Sequence, residues 1–348
     1  MDLIKKINFY RNLFLPKINL ELNNYSSIFY DYSSEKKEII DLLKKLVIKG
    51  KGIRGSLVYI INEILNLKIK EKNLFYLAAF FEIIHSSLLI HDDIMDNDTS
   101  RRGGKTIHFY YQEKFKEIKT DDLVGKNFAI NIGDIGFFIG FDFFNKVKLE
   151  KNKKSQLLSF IIKEYIQVAL AQIDDVFFSQ TKNEPKIDEI LKIYLYKTAR
   201  YTFALPILTV IFIKDHQYFG NKNFLSILEK LGIIFQISDD LIGFLSDETG
   251  KDLGSDIREN KKTLIRYFLT KELKNNQLKN LFGKKNIDKN EIKKLRDFFE
   301  VSKTKRKINK IINHYRNEII IDLKKNNYPQ KFKNLILEFI EYLISRKK

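Results

Sequence analysis

Two groups of acidic residues stand out in this 348-residue chain because their spacing could hold a metal ion. In the first group, Asp92 and Asp96 lie four residues apart at the end of an apolar stretch, with Asp93 beside them. Residues four apart share one face of a helix, and carboxylates gathered there repel one another unless a cation binds. Arg101 and Arg102 follow, and guanidinium groups bind phosphate oxygens well. Because a salt-bridge network would use the same residue types, this group alone leaves both interpretations open.

A second acidic pair, Asp239 and Asp240, also ends an apolar stretch. Four cations follow it in a segment that contains glycines: Lys251, Arg258, Lys261 and Lys262. The basic loop (residues 49–54, KGKGIR) precedes the first acidic group, and Lys197 with Thr198 adds an ammonium and a hydroxyl elsewhere. Carboxylates suit Mg²⁺, which commonly completes its coordination with substrate phosphates. Two acidic groups that each lead into basic residues therefore predict a cavity that binds a polyphosphate through metal ions.

Helices are predicted to position these residues, because apolar residues recur mostly at spacings of three and four. The segment 73–91 is apolar almost all round, which predicts a central, buried helix that leads into the first acidic group. No strand pattern competes. The sequence predicts an all-α, single-domain helical bundle around a central cavity, spanning residues 1–348, with an N-terminal helical segment (1–35) and basic C-terminal helices (270–348). The predicted helices are 36–48, 56–67, 73–91, 123–146, 155–179, 187–213, 223–245, 261–270, 290–299 and, in pieces, 307–344.

Composition excludes several kinds of chemistry and partner. The chain has no cysteine, which excludes a disulfide framework, a thiolate nucleophile and a zinc–thiolate site. The net charge is +18, of which residues 271–348 contribute +13, and lysine on solvated helix faces accounts for most of this excess. No nucleic-acid-binding motif accompanies the charge, so we expect no nucleic acid partner and, at most, a weak association with anionic membrane surfaces. Residues 1–14 include charges and no apolar signal core, from which we expect a cytoplasmic protein.

Five motifs, in order, resemble those of the trans-isoprenyl diphosphate synthases, also called polyprenyl synthetases. HDDIMDND, with the RRG that follows, matches the first aspartate-rich motif of that family, and GKGIRG resembles its GGKRxR loop. AQIDD matches GQxxD with Ala171 in place of glycine, and KTA matches the lysine–threonine motif. FQISDDLIGF and the later TGKDLGSDIRENKKTL match the second aspartate-rich motif and its tail. The resemblance runs from about residue 45 to residue 268, and five motifs in register make it specific.

The resemblance implies the type I isoprenoid synthase fold and a prenyltransferase activity. Members of this family join isopentenyl diphosphate head to tail (1'-4) to an allylic diphosphate, which is dimethylallyl, geranyl or farnesyl diphosphate. Three Mg²⁺ ions are expected per active site, with Mn²⁺ as a substitute. The departing diphosphate leaves an allylic cation, which the isopentenyl double bond attacks. The resemblance also implies a homodimer with one active site per subunit.

Each motif position acquires an implied role from the resemblance. The implied metal ligands are Asp92, Asp96 and Asp239, supported by Asp93 and Asp240. The implied ligands of the allylic diphosphate are Arg101, Lys197 and Lys251, with Lys261 nearby. The implied ligands of isopentenyl diphosphate are Lys51, Arg54, His85 and Arg102. Thr198 and Gln236 are implied to line the region of the cation. His85 taken alone is more simply a buried structural histidine, and only its motif favours the role of ligand.

Two glycines depart from the family motifs. Gly52 stands where the family often has arginine, so one cation of the isopentenyl diphosphate site is lost. Gly243 stands where many members have a third aspartate, although a subset of the family has glycine there. We expect the first change to weaken the affinity for isopentenyl diphosphate, and we expect activity to survive the second.

The depth of the cavity behind Asp92 is expected to set the product length. Ser86 and Ser87 lie where short-product members place an aromatic floor, so the cavity is predicted to be open at this level. Phe81 is a candidate floor deeper along the same helix. A twenty-carbon all-trans product is therefore favoured, and a fifteen-carbon product is the second choice.

Two other functions remain open. A class I terpene cyclase shares the first aspartate-rich motif, but its second metal motif needs a hydroxyl where Gly243 stands, and it has no need of a second diphosphate site. A non-catalytic subunit of a heteromeric prenyl synthase typically loses aspartates from both groups, whereas this chain keeps most of them.

Overall fold

The computed structural model describes residues 2–33, 36–117, 123–246, 254–274 and 276–346. Within these ranges the chain divides into two compact units, the first formed by residues up to Lys151 and the second by residues from Asn152 onward. Both units are helical, and the strands of the described ranges are confined to one short hairpin. The all-α prediction is confirmed. The prediction of one domain around a central cavity stays a prediction.

The first unit is built on the predicted apolar helix. This helix, α5, is long and apolar enough to cross a membrane, but 78% of its most apolar window is buried inside the structure, as in the core helix of a globular unit. The helices of this unit are α1 (Leu3–Leu22), α2 (Ser26–Tyr32), α3 (Lys37–Ile48), α4 (Ile53–Ile64), α5 (Glu71–Asp96), α6 (Ile107–Lys114) and α7 (Leu123–Asn145), with a 3₁₀ turn at Asn23–Tyr25.

Helices α5 and α7 approach each other closely because small residues line their contact. A Cβ atom at Gly136 of α7 would lie 2.2 Å from the Oγ atom of Ser87 on α5. One turn further along α7, a Cβ atom at Gly140 would lie 2.6 Å from Cδ1 of Ile84. The glycines therefore let α7 pack directly on the face of α5 that includes Ser87.

A short hairpin, which the sequence did not predict, follows α5. Strands β1 (Ser100–Arg101) and β2 (Gly104–Lys105) pair antiparallel. The two turn residues, Arg102 and Gly103, both have positive φ angles, of +53° and +69°. Two-residue turns of this kind match the twist of paired strands. The strands are too short to show an alternating apolar pattern, which explains why the sequence indicates only a break between helices here.

The second unit surrounds helix α11. The predicted helix 187–213 is continuous, but its middle part is a π-helix (Tyr194–Ala204) rather than an α-helix. A Cβ atom at Gly232 of α11 would lie 2.3 Å from Cα of Ala199, so the π-helix packs very closely on α11. The remaining helices are α8 (Lys151–Gln180), α9 (Ile187–Ile193), α10 (Leu205–Ile213), α11 (Lys222–Leu245), α12 (Ser255–Arg258), α13 (Leu264–Glu272), α14 (Asn276–Lys279), α15 (Lys289–Val301), α16 (Thr304–Lys325) and α17 (Gln330–Ser345).

Candidate functional site

The first acidic group lies on the last turn of α5, which Asn97 ends in the left-handed conformation (φ +49°). Asp93 is buried, and its Oδ1 atom accepts a hydrogen bond of 2.6 Å from Nε of Arg101. Nη2 of Arg101 also donates to Oδ2 of Asp98 at 3.1 Å and lies 3.7 Å from Oδ2 of Asp92. Burial raises the pKa of Asp93 to about 7, although Arg101 opposes this by favouring the ionised form. Arg101 thus partly neutralises a cluster of carboxylates at the end of the helix.

The hairpin after α5 holds the two predicted arginines in place. Arg102 lies at the turn, and its Nη1 atom donates a hydrogen bond to the carbonyl oxygen of Leu46 in the last turn of α3. At the end of the hairpin, Oγ1 of Thr106 donates to the carbonyl oxygen of Asp98 at 2.7 Å. The hairpin is therefore closed on itself and anchored to α3, which limits where Arg101 and Arg102 can reach.

His85 lies on α5, close enough to three of the predicted arginines to feel their charge. Burial lowers its pKa well below the usual range for histidine, and the positive charges of Arg54, Arg102 and Arg101 lower it further. The imidazole is therefore neutral at pH 7. Arg54 is buried in the first turn of α4, whereas Lys51 is exposed on the basic loop. Arginines gathered around a neutral ring form a group that suits an anionic ligand.

Four polar side chains of the second unit form one hydrogen-bonded chain. Oγ1 of Thr198 donates to Oε1 of Gln236 at 2.6 Å, and Nε2 of Gln236 donates to Oδ1 of Asp240 at 2.7 Å. The hydroxyl of Tyr194 donates to the other carboxylate oxygen of Asp240 and accepts from the backbone N–H of Leu264 at 3.1 Å. Burial, followed by the charge of Asp256, raises the pKa of Asp240 to about 8. Both carboxyl oxygens of Asp240 thus accept hydrogen bonds from neutral side chains.

Two predicted lysines converge on a carboxylate that the sequence did not single out. Nζ of Lys197 lies 2.6 Å from Oδ2 of Asp175, and Nζ of Lys261 lies 3.2 Å from the same atom. Asp175 is the last residue of the AQIDD motif, and its position in that motif was the signal that could have identified it. One carboxylate therefore sets the spacing of two ammonium groups.

Asp239 contacts the C-terminal end of the chain. Nη2 of Arg346 donates to Oδ1 of Asp239 and to the carbonyl oxygen of Phe235, the latter at 3.1 Å. The guanidinium also lies 4.7 Å from the centre of the Phe235 ring. Nothing in the local sequence of Arg346 indicates this contact, because 106 residues separate the two partners.

The π-helix that presents Lys197 and Thr198 is braced by a partly buried ion-pair cluster. Nε and Nη2 of Arg200 donate to the two carboxylate oxygens of Glu164 on α8, at 2.9 and 2.6 Å. Nη1 of Arg200 donates to Oε1 of Glu229 on α11 at 2.5 Å. π-helical turns are rare and commonly occur at functional sites. This brace fixes the π-helix between two α-helices.

Each unit therefore contains one part of the predicted site. The first unit contains Lys51, Arg54, His85, Asp92, Asp93, Asp96, Arg101 and Arg102. The second contains Lys197, Thr198, Gln236, Asp239, Asp240 and Lys261. Lys251 lies outside the described residues.

The residues predicted to set the product length are all buried in the first unit. Phe81 and Ser87 are fully buried, and the hydroxyl of Ser87 donates to the carbonyl oxygen of Ile83 at 3.0 Å. Ser86 is also buried, and its hydroxyl has no hydrogen-bond partner within the described part of the chain. Ser87 faces α7, so a phenylalanine at position 87 would collide with Gly136. Substitution of Ser86 is the better probe of cavity depth.

The carboxylates suit a metal that shares its coordination with a ligand. Among the described residues, no group of three or more His, Asp or Glu side chains could hold a metal ion alone. Asp92 and Asp96 offer two carboxylates on one helix, and Asp239 offers one in the second unit. Mg²⁺ is usually bound by one or two carboxylates together with substrate phosphates. The pair of carboxylates on α5 therefore fits Mg²⁺ bound with a phosphorylated ligand.

Comparison with known proteins gives one consistent family. A family model of polyprenyl synthetases matches residues 36–299. A short chain isoprenyl diphosphate synthase of Methanocaldococcus jannaschii is 32% identical over 221 residues, which are 62% of this chain and 62% of that protein. A geranylgeranyl diphosphate synthase of Saccharolobus solfataricus is 33% identical over 195 residues, which are 54% of this chain and 53% of that protein. The chain thus aligns with less than two thirds of the length of these curated relatives.

A solved structure shows the same fold over the whole chain. The crystal structure of a geranylgeranyl pyrophosphate synthase from Corynebacterium glutamicum, complexed with isoprenyl diphosphate and magnesium, matches with a TM-score of 0.86. The match covers 100% of both chains at 21% sequence identity. It confirms the predicted type I isoprenoid synthase fold.

Proposed function

The chain belongs to the polyprenyl synthetase family, and from this membership we propose that it is a prenyltransferase. It joins isopentenyl diphosphate head to tail to an allylic diphosphate and releases diphosphate, giving a short-chain all-trans prenyl diphosphate. The observation that supports this best is the group of three arginines around the neutral His85, beside the carboxylates of Asp92 and Asp96. One helix thus presents cation-binding and anion-binding side chains a few turns apart.

In the first unit, the basic side chains bind isopentenyl diphosphate. Lys51, Arg54 and Arg102 supply positive charge, and the neutral imidazole of His85 supplies a hydrogen bond without needing a counterion. Arg101 binds the allylic diphosphate with the part of its guanidinium that its buried carboxylate partners leave accessible.

In the second unit, Lys197 and Lys261 bind the allylic diphosphate, and together with Lys251 they draw off its charge as the C–O bond breaks. The oxygen dipoles of Thr198 and Gln236 stabilise the allylic cation that remains. The double bond of isopentenyl diphosphate attacks this cation to form the new C–C bond, and a proton then passes from the adduct to the released diphosphate. No protein nucleophile takes part.

Asp92, Asp96 and Asp239 would hold Mg²⁺, with Asp93 and Asp240 supporting them. Bound there, Mg²⁺ (three ions per active site, with Mn²⁺ as a substitute) would supply positive charge to the departing diphosphate. Within the second unit, Arg346 supplies a positive charge next to Asp239.

The product is proposed to have twenty carbons, with fifteen as the second choice. The support is the small size of Ser86 on α5, where a phenylalanine would close the cavity, whereas Ser87 packs against Gly136 of α7. Phe81, deeper along α5, is the proposed floor.

A homodimer is the proposed assembly. Helix α8 presents five large apolar side chains, between 41% and 63% exposed, along one face: Ile162, Ile166, Leu170, Ile173 and Phe177. An apolar stripe of this length on one helix favours burial against another protein surface. A cytoplasmic location and a weak association with membrane surfaces also remain proposals, the latter supported by the basic C-terminal helices.

The activity is tested with the purified chain, Mg²⁺, isopentenyl diphosphate and each primer in turn: dimethylallyl, geranyl and farnesyl diphosphate. Products are sized by chromatography, and an Asp92→Asn variant serves as the inactive control. A discrete twenty-carbon product supports the full proposal, and a fifteen-carbon product keeps the activity but moves the floor of the cavity. Absence of turnover with every primer would contradict the proposal and favour a non-catalytic subunit.

A further inference from the structure

Helix α1 lies outside the region matched by the family model, yet it contacts the basic loop directly. Nε of Arg11 donates a hydrogen bond of 2.8 Å to the carbonyl oxygen of Gly50. Nη2 of Arg11 donates to the carbonyl oxygen of Ile48 at 3.3 Å. Ile48 is the last residue of α3, and the last carbonyls of a helix lack partners within the helix. One guanidinium thus joins the end of α3 to the start of the loop.

The backbone of the loop is shaped to accommodate α1. Gly52 has a left-handed backbone (φ +66°), which favours glycine. A Cβ atom at Gly52 would lie 2.9 Å from Cγ of Arg11 and 3.2 Å from Cζ of Phe14. A Cβ atom at Gly55 would lie 2.6 Å from Cζ of Phe14. The side chains of α1 therefore fill the space next to position 52, where the resembled family often has an arginine.

Two residues outside α1 also form hydrogen bonds to the backbone on either side of the basic loop. The buried carboxylate of Glu82 on α5 accepts a hydrogen bond of 2.9 Å from the backbone N–H of Gly55. Arg102 donates to the carbonyl oxygen of Leu46. Both of these residues lie within the region that the family model matches, so Arg11 is the contribution that comes from outside it.

Helix α1 is itself firmly packed, so Arg11 is attached to a rigid support. The ring of Phe14 is fully buried and stacks on Tyr59 of α4, with ring centres 6.1 Å apart. Oγ of Ser56 on α4 donates to the carbonyl oxygen of Ile7 at 3.1 Å. A side chain on such a helix can hold a loop in one conformation.

We propose that Arg11 is a positioning residue for the binding of isopentenyl diphosphate. By holding the carbonyls of Ile48 and Gly50, it orders the basic loop so that Lys51 and Arg54 are arranged before the anion arrives. A loop that is already ordered loses less conformational entropy when the ligand binds, and this raises the affinity. Arg11 itself makes no contact with the reacting atoms. The proposal rests on the assignment of Lys51 and Arg54 to isopentenyl diphosphate under the proposed function.

The test compares Arg11→Gln, Arg11→Lys and the matched control Lys17→Gln. Lys17 is an exposed cation on the same helix, paired with Glu71 rather than with the loop. Amide hydrogen exchange of the metal-free protein is measured for a peptide covering residues 46–56, and KM is measured separately for isopentenyl diphosphate and for the allylic substrate. Thermal unfolding is recorded for every variant.

For Arg11→Gln we expect faster exchange in the loop and a KM for isopentenyl diphosphate raised about fivefold or more, with the allylic KM and kcat within about twofold. Arg11→Lys keeps the charge but loses the contact with two carbonyls at once. Its loop exchange and its KM for isopentenyl diphosphate should therefore lie between those of the wild type and Arg11→Gln. Lys17→Gln should behave like the wild type.

Two results would overturn the inference. One is unchanged loop exchange in Arg11→Gln. The other is an equal rise of both KM values together with a lower melting temperature, which would show a merely structural role. If the wild type catalyses no condensation, the proposed function fails, and calorimetric titration of isopentenyl diphosphate into wild type and Arg11→Gln then decides the inference. Equal binding by both proteins, or binding by neither, would count against it.

Discussion

The two acidic groups share a motif but are supported in different ways. Asp93, behind the first group, is paired with the cationic Arg101, whereas Asp240, in the second, receives hydrogen bonds from the neutral Tyr194 and Gln236. Burial raises the pKa of both carboxyls, to about 7 and about 8. The first support lies within ten positions along the chain, while the second combines Gln236 on the same helix as Asp240 with Tyr194, which is 46 positions away. Similar motifs can therefore depend on a buried charge in one place and on a neutral network in another.

The sharpest test of this comparison removes the cation of the first group. Arg101→Gln leaves the buried carboxyls of Asp93 and Asp98 without their charged partner, and breaking such a pair costs about 3–5 kcal/mol. We also expect kcat to fall by about a hundredfold or more, because a cation aimed at the leaving group is lost. Urea unfolding followed by circular dichroism and a steady-state assay measure the two effects. Lys105→Gln, on the exposed end of the same hairpin, is the control, and an Arg101→Gln protein as stable as this control would refute the buried-pair description.

A paired substitution separates the two supports directly. The hydrogen-bond partners of Asp240, Tyr194 and Gln236, are neutral, so Asp240→Asn leaves neither of them with an unpaired charge and should lower the unfolding free energy by only about 1 kcal/mol. Asp93→Asn removes the counter-charge of Arg101 and should cost about 2–3 kcal/mol. Both values come from urea unfolding at pH 7. Equal losses in the two variants would show that the supports do not differ in the way described.

A separate ion-pair cluster of the second unit, formed by Glu184 with Arg266 and Lys262, predicts a pH effect. Although burial favours the neutral acid, hydrogen bonds from Arg266 and Lys262 outweigh it and lower the pKa of Glu184 to about 2. A depressed pKa stabilises the fold above the unfolded value of 4.5, and this contribution is lost as pH falls from there toward 2. Because Glu184 is more than half exposed, we expect about 1 kcal/mol or less. Glu184→Gln should flatten the stability profile in this window, whereas the exposed Glu300→Gln should not.

The smallest expected effect concerns the arginine next to Asp239. Arg346 competes with a metal ion for this carboxylate, and a partly exposed ion pair contributes about 1 kcal/mol or less. Arg346→Gln should therefore increase the affinity for Mn²⁺ by about threefold, measured by electron paramagnetic resonance titration. Arg316→Gln, whose partner Glu341 is an exposed residue of α17, is the control. A weaker affinity in Arg346→Gln would mean that the arginine assists metal binding rather than competing with it.

The sequence predicted the parts of the fold and site that depend on local pattern. The apolar segment 73–91 lies inside α5, and the arginines of the first group follow α5 in a short hairpin. Asp175, Tyr194 and Arg346 were missed because their roles arise from contacts between helices far apart in the chain. Spacing along one helix cannot show which residue of another helix will face it.

The same reasoning explains two features that no periodicity indicated. The stretch Tyr194–Ala204 mixes apolar residues with Lys197 and Arg200, so the sequence predicts a helix there but does not indicate its π-helical type. The proposed role of Arg11 depends on how α1 packs on α4, and the sequence of neither helix indicates that the two pack together. The basic loop was recognised from its motif, but what holds it in place was not.

The π-helix also restricts how this protein can be recombined with its relatives. Removing one residue between Tyr194 and Ala204 would turn the preceding helix by about 100° relative to the following one. The ammonium group of Lys197 would then no longer contact the carboxylate of Asp175. A chimera that exchanges this stretch must therefore keep its length residue for residue. The surface connection at residues 214–221, by contrast, is a place where an insertion should be tolerated. In an alignment of such proteins, a gap inside the π-helix would indicate a misplaced boundary or a changed active site.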